Sequence, residues 1–161
     1  MLFRSYMKQQ KFADVFHCYL KAFRINPASS SYSKKLLDLS RSFDCSANSE
    51  FISLLEQTWK DKNNDDNVLT NLGALFLQLD DLKKAEYALV KATVMNPKNP
   101  EACCFLSAVL SKTGRMELAI IQLENACKNG FRDFAFVEKD PFFSDLRSTA
   151  EYKSLRKAYT K

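Results

Sequence analysis

The sequence repeats itself with a period of 34 residues, and this period limits the fold more than any other feature. Residues 67–100 align with residues 101–134, and the aligned positions are small or apolar in both copies. These pairs are Leu69 with Cys103, Leu72 with Leu106, Gly73 with Ser107, Phe76 with Leu110, Ala85 with Ala119, Leu89 with Leu123, and Ala92 with Ala126. A fixed period of this size is typical of stacked-repeat proteins, in which each unit covers the apolar face of the next.

The spacing inside each copy predicts two helices joined by a turn. The first four aligned positions and the last three each follow one face of an α-helix. Turn residues, Asp80–Asp81 and Gly114–Arg115, lie between the two helical stretches. Small residues such as Gly73 and Ala85 allow two antiparallel helices to approach closely. Asn96–Pro97 ends the second helix, because proline has no N–H donor and disfavours helix before it.

These residues resemble the tetratricopeptide repeat (TPR) family, whose pattern is W-x2-L-G-x2-Y…A-x3-F…P with the same period. The places of that pattern are taken by Leu69, Leu72, Gly73, Phe76, Ala85, Leu89 and Pro97. The second copy ends in Gly130–Phe131 instead of Asn96–Pro97. The resemblance implies an all-α fold, an α-α superhelix in which helical hairpins form a right-handed TPR-like solenoid. It also implies a protein or peptide partner and no catalytic activity.

Two weaker copies precede the clear ones. Ala22, Asn26 and Pro27 correspond to Ala92, Asn96 and Pro97 of the third copy. The copy between them has Leu36, Leu39, Ser40 and Phe43 on its first helix, and Phe51, Leu55 and Thr58 on its second. We therefore predict one domain over residues 1–161, with helical hairpins at about 1–31, 32–66, 67–100 and 101–134 and a C-terminal cap at 135–161. Since Met1 falls within the first helix of its copy, the first hairpin is expected to be incomplete.

The segment after the last copy begins a new helical element. Asp140–Pro141 is a helix start, because proline is favoured in the first helical turn. Phe142, Phe143 and Leu146 follow it, and the segment resembles the tails found after bacterial repeats of this family. A terminal repeat leaves an apolar face uncovered, which an atypical element closes. We expect a cap here, and a partner-binding tail is the alternative.

Residues capable of catalysis or metal binding are few and scattered. The cysteines are Cys18, Cys45, Cys103, Cys104 and Cys127. They form no C-x-x-C pair, so we expect free and mostly buried thiols and no metal site. His17 is the only histidine, and its neighbour Cys18 points elsewhere on the helix. The three glycines form no phosphate-binding loop, so we expect neither a cofactor nor an enzyme.

Charge and hydropathy limit the partners and the location. The net charge of +5 includes no block of Lys and Arg, and no aromatic RNA-binding motif is present. These features argue against a nucleic-acid partner. Short apolar runs argue against membrane insertion, and the first residues lack the features of a signal peptide. We therefore expect a cytoplasmic location, which fits an odd number of cysteines.

Candidate partner-binding residues lie on the face of each first helix that is not used for packing. In a stacked solenoid, the first helices form a concave groove. Cationic and amide side chains there can hydrogen-bond an extended peptide, and small side chains leave room for it. The candidates are Arg4, Lys8, Lys34, Arg41, Asn67, Asn71, Ala74, Gln78, Cys104, Ala108 and Lys112.

The leading functional hypothesis is a non-catalytic scaffold or adaptor that binds a partner protein or peptide in this groove. Two alternatives remain open at this point. In the first alternative, the chain is a secretion or assembly chaperone that holds a client segment. In the second, it is the interaction domain of a larger protein, such as an enzyme. A homo-oligomer formed through the incomplete first hairpin is a further option.

Overall fold

The computed structural model describes the backbone of residues 2–42 and 48–160 and the side chains of residues 11–42 and 48–160. The helices are α1 (Leu2–Ile25), α2 (Ser30–Ser42), α3 (Ser49–Asp61), α4 (Asp66–Gln78), α5 (Leu82–Met95), α6 (Pro100–Lys112), α7 (Met116–Lys128), α8 (Phe134–Lys139), a 3-10 turn η1 (Pro141–Phe143), α9 (Ser144–Ser148) and α10 (Ala150–Tyr159). These residues contain no strand, so the predicted all-α class is confirmed. None of the described helices has an apolar stretch long enough to cross a lipid bilayer.

The two clear copies form the two most extensively packed helix pairs, α4 with α5 and α6 with α7. Every apolar side chain of the aligned pairs is at most 5% exposed. The turns also correspond, since Asp80 and Gly114 both have positive φ, at 60° and 76°. The period thus identified the buried side chains and the chain reversals of both hairpins.

Each hairpin uses its small residue on the first helix in a different way. A Cβ atom at Gly73 would lie 2.5 Å from Cγ of Leu89, so only glycine permits the observed approach of α4 and α5. In the next copy, Oγ of Ser107 donates a 2.7 Å hydrogen bond to the carbonyl oxygen of Ala119. The hydroxyl joins α6 to α7 and is satisfied, as a buried polar group must be.

The first copy differs from its prediction, because residues 2–25 form one continuous helix instead of a hairpin. This stretch contains neither glycine nor proline, so no residue favours a turn between its two halves. Its second half carries Phe16, Leu20 and Phe23, which are at most 3% exposed. The helix packs on α2 and α3.

The second copy has its two predicted helices in a looser arrangement. Leu36, Phe51 and Leu55 are fully buried, and Phe43 and Cys45 lie outside the described residues. Within the described residues, α2 packs on α1 and α4, and α3 also packs on α1 and α4. The two helices are not a closely packed pair like α4 and α5.

The residues after the fourth copy cover both of its helices. η1 and α9 pack on α6, whereas α9 and α10 pack on α7. Their buried side chains are Phe134, Val137, Phe143, Leu146 and Tyr152. η1 starts at Asp140–Pro141, where Oδ1 of Asp140 accepts a 2.9 Å hydrogen bond from the backbone N–H of Phe142.

The cysteines should differ sharply in reactivity. Cys18 is exposed, whereas Cys103, Cys104 and Cys127 are at most 2% exposed. Burial raises the pKa of the Cys127 thiol to about 11 and that of Cys104 well above its usual value, so little reactive thiolate exists at neutral pH. We expect iodoacetamide to modify Cys18 in the folded protein, and Cys103, Cys104 and Cys127 only after unfolding. Peptide mass spectrometry checks this, and equally fast modification of Cys104 and Cys18 would contradict the packing.

Candidate partner-binding site

The first helices α2, α4 and α6 stand side by side and are joined by side-chain contacts. Nζ of Lys34 on α2 lies 2.5 Å from Oε1 of Glu101 on α6. Nε of Arg41 donates a 3.2 Å hydrogen bond to Oε1 of Gln78 on α4. Since α2 and α6 flank α4, contact between their side chains across it makes this face concave. We call the face the concave wall, and it carries Lys34, Arg41, Gln78, Glu101 and Lys112.

A cleft of 410 Å³ lies in the concave wall, between α2, α6 and residues 130–136. The buried side chains of Leu37, Cys104 and Phe105 give it an apolar floor. Charged side chains of both signs surround that floor: Lys34, Asp38, Arg41, Glu101, Arg132 and Asp133. An apolar floor with a few polar groups at its edge is the usual composition of a ligand-binding cleft.

The carboxyl-terminal ends of α2 and α6 meet residues from the end of the chain. Nη2 of Arg41 pairs with Oδ2 of Asp140, although the two residues are 99 positions apart. The Arg41 guanidinium also lies 5.8 Å from the ring centroid of Phe136 and 5.6 Å from that of Phe142. Nζ of Lys112 is 5.1 Å from the Phe142 centroid. At these distances a cation is attracted to the ring face.

Asp140 is held from several directions. Its side chain is 1% exposed, and its second oxygen caps η1 as described above. Nη1 of Arg147 donates to the carbonyl oxygens of Asp140 and Val137, at 2.7 Å and 2.8 Å. Because an isolated buried carboxylate is costly, the Arg41 guanidinium and the η1 amide together offset part of the cost of burying Asp140.

Three predicted groove residues are not available to a partner in this structure. The side chain of Asn71 is buried and its hydrogen bonds are made within the protein. Nδ2 donates to the carbonyl oxygen of Pro27, and Oδ1 accepts from Oγ of Ser33, both at 2.7 Å. Ala74 and Ala108, predicted to leave room for a peptide, are at most 2% exposed. Asn71 and Ala74 lie on α4, which packs between α2 and α6, and Ala108 lies on α6, which η1 and α9 also cover.

The remaining groove candidates are Arg4, Lys8, Cys104 and Asn67. The side chains of Arg4 and Lys8 lie outside the described part of the structure. Cys104 contributes to the cleft, and Asn67 is exposed beside a separate polar cleft of 360 Å³.

His17 is on the surface of α1, with Nδ1 at 3.1 Å from Oε2 of Glu50. Among the described residues, no group of three His, Cys, Asp or Glu side chains is arranged to hold a metal ion.

Besides Gln78, Arg41 contacts three residues that the sequence did not predict for the site: Phe136, Asp140 and Phe142. All three lie in the segment predicted to be a cap, which was assigned only to the end of the stack. The one available signal was the Asp-Pro-Phe-Phe sequence, since an acidic residue beside two aromatic ones matches the chemistry of a cationic wall.

No protein-family model matches the sequence, and no curated protein is significantly similar to it. Solved structures are similar, among them two crystal structures of MamA with 18% sequence identity to this chain. One has a TM-score of 0.54 and aligns over 97% of this chain and 81% of its own. The other has a TM-score of 0.55, over 96% and 87% respectively. MamA is a TPR-like helical-repeat protein, so this likeness shows that the present fold is a TPR-like helical-repeat solenoid.

Proposed function

We propose that the protein is a non-catalytic scaffold that binds a segment of another protein in the cleft of the concave wall. The cleft itself carries this proposal. Its 410 Å³ is within the range of ligand-binding sites and has room for a few side chains of an extended segment. In this proposal residues 1–161 act as one cytoplasmic domain and use no cofactor.

The charges around the cleft favour a protein segment over a nucleic acid. Lys34, Arg41 and Arg132 are accompanied by Asp38, Glu101 and Asp133, so cations and carboxylates are equal in number around the floor. A polyanionic backbone is bound by an excess of cations, which this rim lacks. A peptide offers amides, carbonyls and charges of both signs, which match such a rim.

A bulky side chain placed in the cleft should block binding. Asp38 is exposed at the rim, so Asp38→Trp would fill the cleft without disturbing the core. Lys83→Trp, on the exposed surface of α5, is the matched control. Peptides selected from a displayed random library against the wild-type protein are the probes. We expect Asp38→Trp to weaken their binding by roughly 5- to 150-fold and Lys83→Trp to leave it unchanged, measured by fluorescence polarisation.

Two results would contradict the proposal. If the library yields no peptide that binds the wild-type protein, the concave wall is not a peptide-binding surface. If the selected peptides bind Asp38→Trp and the wild type equally, the protein binds peptides at another surface. Circular dichroism of each variant verifies that the helical fold is intact.

A further inference from the structure

We propose that residues Phe136–Phe143, here called the tail segment, are an internal occupant of the concave wall that a partner segment displaces. The displacing segment would carry an acidic residue followed by aromatic residues. This inference rests on the proposed function and adds to it the class of partner and a means of regulation. It follows from the position of the tail segment, the chemistry of its contacts and its continuity with the cleft.

The tail segment extends further along the stack than a cap of the last repeat would. A cap covers the exposed face of the last repeat and contacts only that repeat. Here α9 and α10 pack on α7, which belongs to the last copy. The tail segment reaches further, because Asp140 pairs with Arg41 of α2, two copies earlier. It therefore crosses the concave wall, where the scaffold hypothesis places a partner.

The contacts of the tail segment show which chemistry the wall recognises. Arg41, Gln78 and Lys112 lie in the last turns of α2, α4 and α6, so the repeat presents two cations and an amide in a row. One carboxylate, from Asp140, satisfies Arg41, and the ring of Phe142 lies within 5.6 Å of the Arg41 guanidinium and 5.1 Å of the Lys112 ammonium. A charge-assisted hydrogen bond with adjacent cation–π contacts is specific for a carboxylate next to an aromatic ring.

The tail segment and the cleft are continuous. Arg41 and Phe136 line the cleft and also belong to the contact between the wall and the tail segment. A partner segment that fills the cleft and extends towards the end of α2 would therefore meet Phe136 and Asp140. It can continue along the wall only where these residues have been displaced.

Tethering sets the strength of this competition. A segment joined to the same chain is present at an effective concentration in the millimolar range. If it occupies the wall in all but a small fraction of molecules, the apparent affinity of a partner falls by that fraction. Substitutions that weaken the contact of the tail segment with the wall should therefore strengthen the binding of a separate peptide. Substitutions that remove the wall's own contacts should abolish that binding.

The test uses the full chain and a fluorescein-labelled peptide with the sequence of residues 136–146, compared with a scrambled peptide. The opened variant is Asp140→Asn/Phe142→Ala, in which asparagine keeps an oxygen that can cap η1 but lacks the charge that pairs with Arg41. We expect this variant to bind the peptide at least about tenfold more tightly than the wild type does. Adding Arg41→Ala to the opened variant should remove the gain. Asp145→Asn, an exposed carboxylate of α9, is the matched control and should behave as the wild type.

Several outcomes would overturn the inference. The first is that the opened variant is folded but does not bind the peptide up to about 1 mM. The second is that the opened variant and the wild type bind the peptide equally. The third is that the opened variant still binds the peptide when Arg41→Ala is added. If the double variant is unfolded by circular dichroism, Asp140→Asn alone gives the same comparison. Library-selected peptides separate the two proposals. If Asp38→Trp weakens their binding but the opened variant and wild type bind them equally, the proposed function stands and the tail-segment inference fails.

Discussion

A chain truncated before Asp140 should be strongly destabilised, with a melting temperature lower by more than about 10 °C. The truncation removes Phe143, Leu146 and Tyr152, which are at most 2% exposed and pack against the last copy. Burying a large apolar side chain contributes about 1.5–3 kcal/mol, so the loss reaches about 5–9 kcal/mol as an upper estimate. Domains of this size are stable by about 5–15 kcal/mol, and 1 kcal/mol corresponds to about 2–4 °C.

Thermal unfolding followed by circular dichroism, together with size-exclusion chromatography, measures this effect. A chain ending at Tyr159 keeps all of the buried side chains and is the control. The truncated protein should also self-associate, because α6 and α7 lose the apolar surface that covers them. A monomeric truncated protein with an unchanged melting temperature would show that residues 140–161 do not cap the stack.

The contact between Gly73 and Leu89 should give a large and non-additive effect on stability. Leu89→Ala removes a fully buried side chain and should cost about 2–5 kcal/mol. Gly73→Ala places a Cβ atom 2.5 Å from Cγ of Leu89, and overpacking of this kind costs about 1–3 kcal/mol. The higher helix propensity of alanine offsets about 0.5–1 kcal/mol of that cost. In the double variant the new methyl group occupies space left by leucine, so the two costs should not add.

Urea denaturation of the wild type, both single variants and the double variant measures the coupling. We expect the double variant to be at least about 1 kcal/mol more stable than the sum of the single effects predicts. Gly73→Ala combined with Leu123→Ala, in the other hairpin, is the control and should be additive within about 0.5 kcal/mol. Additivity of Gly73→Ala and Leu89→Ala would mean that α4 and α5 are further apart than the structure shows.

The core positions of the two clear hairpins are predictable from sequence because they depend on local contacts. Positions such as Leu69, Leu89 and Ala85 are fixed by contacts between consecutive helices, which recur at each period. A pattern of apolar and small residues therefore contains the information needed to identify them. The same argument explains the error in the first copy. Ala22, Asn26 and Pro27 matched the pattern, but residues 2–25 contain no glycine or proline that favours a turn.

The candidate site was only partly predictable, because its decisive contacts are not periodic. The pattern placed Lys34, Arg41, Gln78 and Lys112 on one face, and in the structure Lys34 contacts Glu101 of α6 and Arg41 contacts Gln78 of α4. It could not show that Asp140 lies against Arg41, since residues 99 apart share no local spacing. Nor could the pattern show that the Asn71 amide hydrogen-bonds Pro27 and Ser33. An asparagine at this helical position fits the repeat equally well whether its side chain faces solvent or a neighbouring loop.

The pairing of Arg41 with Asp140 also changes how the stack should unfold. In a linear array each unit interacts only with its neighbours, so the ends fray independently and cooperativity declines with length. Here α2 and the end of the chain hold each other directly, which closes the array into a ring of contacts. The helices between Arg41 and Asp140 cannot separate from one end without breaking that closure, so α2 to η1 should open as one cooperative unit, whereas α1 and α10 lie outside it. A partner that displaced the tail segment would return the array to independent fraying.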